Sequence, residues 1–157
     1  MNSATLFAIP AAIIAGALVP IQAGANAALG RNLGHPLWAT MASLAISAVA
    51  AMIVMALLRV PAPSFAELGK LPWWGWTGGV AGVFYITAGL ILAPRLGAGA
   101  FLAAVIAGQM LAALVLDRYA LVGFLGSAMN PGRLAGAALI MGGALLMHLS
   151  TAPRAPA

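Results

Sequence analysis

Gln22 and Asn26 are carboxamides four residues apart in an apolar stretch that carries no charge before Arg31. That spacing puts both on one face of a helix. A carboxamide in hydrocarbon without partners costs several kcal/mol, so this face is expected to meet protein or water and not lipid. Pro20 lies just ahead of them and has no amide hydrogen. The carbonyl of Gly16 is therefore left free, and the helix can bend or open at the polar face. Ser47, Tyr85 and Gln109 fall near the middle of later apolar stretches. Gln109 is the deepest strongly polar group, and the partners available to its hydrogen-bonding valences are Gln22, Asn26, Tyr85 and Ser47. The chemistry on offer is neutral hydrogen bonding, with an interhelical clamp as the structural alternative.

The elements that position these groups follow from composition. Of 157 residues, 64% are hydrophobic and 6% charged, with a mean hydropathy of +1.07. A soluble domain cannot cover itself with so few charges, whereas a helix bundle facing lipid has no need to. The expected fold is an all-α integral membrane protein of one domain, with five transmembrane helices over about 4–30, 36–58, 73–93, 97–116 and 131–150. No Lys or Arg precedes Arg31, so the first segment lacks the basic start of a cleaved signal and reads as a retained span. The formal charge of +5 comes from basic residues scattered singly between apolar segments. They are flanking anchors and not a nucleic-acid patch. With no cysteine, no metal-ligand spacing, no phosphate loop and no nucleophile with a His/acid pair, neither a metal nor a cofactor is expected, and the chain does not read as an enzyme.

Helix contact accounts for most of the remaining pattern. Gly78, Gly82 and Gly89 share a face with Tyr85, Ala100, Ala104 and Gly108 recur every four residues, and Gly132 and Gly136 open the last span. All eight small residues are expected to pack helices closely, and Thr40 and Ser43 join them on the second span. Trp73, Trp74 and Trp76 mark a headgroup boundary. His35 is expected in a loop beside Pro36, and Asp117 and Arg118 as a boundary pair. The tail 152–157 is not expected to be tied down.

Arg59, Lys70, Arg118 and Arg133 fall on one side of the membrane, and Arg31, Arg95 and Arg154 on the other. So small a bias scarcely selects an orientation. Five helices are too few for two inverted repeats, so a second, antiparallel copy is the economical way to obtain them. The expectation is a dual-topology dimer in the bilayer.

Residues 22–31, Pro36-Leu37-Trp38-Ala39, residues 73–79, Pro94-Arg95-Leu96-Gly97-Ala98 and Gly108-Gln109 occur in register over nearly the whole chain. In these motifs the chain resembles the YdcZ-like five-helix branch of the drug/metabolite transporter superfamily. The resemblance implies a multi-pass protein of the bacterial inner (plasma) membrane, half of a ten-helix architecture, acting as a homodimer or as a heterodimer with a related five-helix chain. Small four-helix relatives exchange protons for cations through a glutamate inside the first helix. This chain has none, and its two acids, Glu67 and Asp117, stand at or outside span ends. Gln22, Asn26, Ser47, Tyr85 and Gln109, with Pro20 as hinge, suit a small uncharged, zwitterionic or weakly cationic metabolite or drug moved by alternating access. A dual-topology dimeric ion channel and a non-transporting assembly subunit are the alternatives.

Overall fold

The computed structural model describes residues 3–64, 66 and 69–150. Glu67, Arg154 and the tail 152–157 lie outside the described residues. Helix α1 is Ser3–Leu33 and α2 is Pro36–Leu57; a 3-10 turn, Trp73–Trp76, leads into α3, Thr77–Leu96; α4 is Ala98–Tyr119 and α5 is Pro131–Leu149. Among the described residues there is no strand. The five segments Phe7–Leu33, Pro36–Leu57, Trp73–Leu96, Ala98–Tyr119 and Pro131–Leu149 are long and apolar enough to cross a membrane, as the sequence predicts.

The helix ends have local causes. The imidazole Nδ1 of His35 accepts from the Leu37 amide at 3.2 Å, and Pro36 follows at a first-turn position where no amide hydrogen is needed. His35 is thus a helix cap. Asn130 and Pro131 repeat the device at α5, where the Asn130 carboxamide oxygen accepts from the Arg133 amide at 2.9 Å. Gly97 separates α3 from α4 at φ 86 and ψ 151, a region open essentially to glycine alone. Ala120 ends α4 in the left-handed region, and the Leu121 amide closes back on the Leu116 carbonyl at 3.0 Å.

Three helix ends lie three residues beyond expectation, among them that of α4, which runs to Tyr119 and not to 116. Helix α1 continues to Leu33, and the Asn32 side chain donates to the Ala28 carbonyl at 3.0 Å within its last turns. Helix α3 runs through Pro94 to Leu96. A proline costs one backbone hydrogen bond but does not by itself end a helix in a membrane, where an unhelical backbone costs more. Pro10 and Pro20 likewise lie inside a continuous α1.

The chain forms two compact units, Met1–Pro94 and Arg95–Ala157. In the first, α1 and α2 form an antiparallel hairpin, and Leu90 of α3 is buried with Ala27 and Ala39. In the second, α4 and α5 pack antiparallel, and Phe101, Leu114 and Ala137 are buried. Large apolar side chains such as Leu18, Ile21, Ile46 and Phe84 are exposed. In a bilayer they meet lipid, and burial within the protein is not required of them.

Candidate functional site

Gln22 and Asn26 of α1 and Tyr85 of α3 line one pocket, completed by Val19, Ala23, Ile86 and Gly89. The helical periods explain the convergence. Residues 19, 22, 23 and 26 make one stripe along α1, and residues 85, 86 and 89 make one stripe along α3. Gly89 is buried and has no side chain to fill the space. Pro20 is the central residue of the Phe7–Leu33 segment, and Tyr85 stands at the middle of Trp73–Leu96. The pocket is therefore at mid-span, where hydrocarbon offers no hydrogen bond.

Polarity here is unspent. Asn26 is buried, Gln22 and Tyr85 are exposed, and among the described residues none of the three makes a side-chain hydrogen bond. Two carboxamides and a phenol can both donate and accept. The pocket, open on one side, has a volume of about 20 Å³, room for one water, whereas pockets for small ligands hold about 300–1,000 Å³. This unit by itself supplies one polar wall.

The same unit holds a well-packed layer between its helices. The Thr40 hydroxyl lies 2.9 Å from that of Thr87 and 3.2 Å from the Pro36 carbonyl, and Thr40 and Ser43 are buried. A Cβ on Gly30 would stand 3.3 Å from Leu90 Cδ2 and 3.6 Å from Ala39 Cβ, so glycine sets the approach of α1 to α2 and α3. Thr87 was not legible as a member of this layer. Only its partner's burial singles it out, because a threonine in an apolar helix ordinarily bonds its own backbone.

The other residues of the sequence analysis fall elsewhere. Ser47 is exposed on α2 and outside the pocket lining, and Gln109 is exposed at the middle of α4, in the second unit, with no hydrogen bond among the described residues. Gly89 and Ala100 are buried and Ala104 is exposed. A Cβ at Gly78, Gly82, Gly108 or Gly136 would meet nothing within 4 Å, and one at Gly132 would meet only the Asn130 side chain at 3.4 Å. These ridges lie open within their own units.

Asp117 pairs with Arg133, and the expected boundary pair with Arg118 is not formed. Neighbours on a helix point about 100° apart, so Arg118 turns over the Tyr119 ring, 5.6 Å from its centroid. Arg133 comes from the start of α5, brought opposite the end of α4 by the returning loop, in which the Ser127 amide donates to the Asp117 carbonyl at 2.9 Å.

Residues 7–146 match the family described as "Putative inner membrane exporter, YdcZ". No curated protein and no solved structure matches the chain.

Proposed function

The chain belongs to the YdcZ family of inner membrane exporters, and from that membership we infer that it carries a small uncharged, zwitterionic or weakly cationic molecule by alternating access. It is a multi-pass inner membrane protein. The observation that carries the reading is the convergence of Gln22, Asn26 and Tyr85 on one mid-span pocket with their hydrogen-bonding capacity unspent. Such groups are costly in a bilayer unless water or cargo satisfies them. Gln22 and Tyr85 are the reachable contacts, and Asn26, buried in the same lining, is the structural member of the wall. Pro20 is the hinge, since the α1 backbone lacks one hydrogen bond there.

A wall whose open pocket measures about 20 Å³ needs others before it holds a metabolite. We propose that a second, antiparallel copy or a related five-helix chain supplies them, giving ten helices in all. The even distribution of basic residues supports this, and so do the open glycine ridges at Gly78 and Gly82, which leave room for another helix. Gln109 and Ser47, exposed near the middle of their spans, are candidate cargo contacts in the assembled dimer.

The test is a thermal-shift screen of the purified protein against neutral, zwitterionic and cationic metabolites, followed by counterflow in proteoliposomes with any compound that stabilises it. A carrier shows saturation and counterflow. Rapid flux without counterflow is the result of a channel and overturns alternating access.

A further inference from the structure

Between α4 and α5 runs a second cavity, of about 290 Å³, lined by Met110, Ala113, Leu114, Gly136 and Ile140 and reaching Arg133. Its walls are apolar. Gly136 keeps it open, since a Cβ there would meet nothing within 4 Å. At its charged end, Asp117 engages only Nη2 of Arg133, and Nη1 is covered without any hydrogen-bond partner. Arg133 sits in the first turn of α5, at the end of a membrane-spanning segment.

A groove that is apolar along the span and reaches a guanidinium still 32% exposed beside its single carboxylate matches a molecule with an aliphatic chain and an anionic head. We propose that this groove binds an anionic phospholipid, with an acyl chain along Leu114 and Gly136 and the phosphate accepting from Arg133. Guanidinium and phosphate form strong charge-assisted hydrogen bonds. Asp117 neutralises one positive charge, and Arg118, over the Tyr119 ring at the same end of α4, leaves a net positive rim at the helix ends. That rim favours a lipid of net negative charge over a zwitterionic one carrying the same phosphate. The volume is at the lower edge of clefts that hold small ligands, about 300 Å³, which suits one chain and not a whole lipid.

The experiment compares thermal unfolding of the full chain in neutral detergent with added phosphatidylglycerol, phosphatidylcholine or glycerol 3-phosphate. Phosphatidylglycerol is expected to raise the midpoint, phosphatidylcholine to raise it less, and glycerol 3-phosphate to leave it unchanged. Gly136→Leu, which fills the groove and keeps every charge, and Arg133→Gln, which removes the positive charge and the guanidinium fork, are each expected to weaken the apparent affinity about tenfold or more. Absence of a phosphatidylglycerol shift overturns the proposal, and so does a shift that survives in both variants. An equal shift with glycerol 3-phosphate identifies a soluble-anion site and also overturns it. Should a variant fail to fold, native mass spectrometry of the wild-type chain decides: preferential retention of phosphatidylglycerol over phosphatidylcholine supports the site, and equal retention removes it.

Discussion

The hydroxyls of Thr40 and Thr87 lie 2.9 Å apart and join α2 to α3. Thr40 is 1% exposed, so neither lipid nor water replaces a lost partner. Replacing Thr40 by valine takes the interhelical partner from the Thr87 hydroxyl, whereas replacing Thr87 leaves Thr40 its bond to the Pro36 carbonyl, and replacing both removes the pair. The expected coupling in a double-mutant cycle is about 0.6–1.7 kcal/mol, the range of interhelical hydrogen bonds in membrane bundles. Reversible unfolding in mixed micelles measures it, and additive single-mutant losses would remove the bond from the account.

Gly30 tests the close approach of α1. The Cβ of Gly30→Ala meets a flexible Leu90 methyl at 3.3 Å, and a loss below about 1 kcal/mol is expected because that side chain can shift. Gly30→Leu cannot be accommodated this way against Ala39, and a loss of about 1–3 kcal/mol is expected. Paired unfolding curves of the two variants give the contrast. Equal stability of both would mean that α1 and α2 do not meet here.

Much of this was readable from residue types. An apolar run longer than the bilayer allows little besides a helix, so all five spans could be placed to within a few residues. Gln22, Asn26 and Tyr85 stood out because polar groups are rare in such runs. Their meeting needed the structure, since the sequence leaves open the rotation of α1 against α3. Asp117 shows the opposite case. Its adjacent arginine was the obvious partner, and the true one, Arg133, depends on a loop that returns through positive φ at Ala120 and Val122, conformations that side chains other than glycine seldom signal. The glycine ridges at Gly78 and Gly82 were legible as small-residue stripes, but a stripe does not name the helix that covers it.

Asp117→Ala leaves Arg133 near the membrane boundary without its carboxylate. Because both side chains are partly exposed, at 32% for Arg133 and 21% for Asp117, the expected loss is about 1–2 kcal/mol and not the larger cost of a fully buried pair. The exchange Asp117→Arg with Arg133→Asp is expected to recover most of it. No recovery would mean that the pair contributes through its surroundings and not through mutual attraction.

Dual topology is testable without knowing the cargo. Reporters of sidedness fused to the C-terminus are expected to read both orientations in one membrane preparation, and adding lysines to the 120–130 loop is expected to bias the population. A single orientation for every molecule would exclude the antiparallel homodimer and leave only a related partner chain.

Gln22→Ala removes a reachable carboxamide from the mid-span wall and touches none of the buried Ala27, Ala39 and Leu90 cluster. The decisive measurement is the thermal shift that a stabilising metabolite or organic cation produces in this variant and in the wild-type chain. The account predicts an unliganded stability within about 0.5 kcal/mol of wild type and a ligand-induced shift that is lost or displaced to at least about tenfold higher concentration. An undiminished shift in Gln22→Ala, and again in Tyr85→Phe, would contradict it.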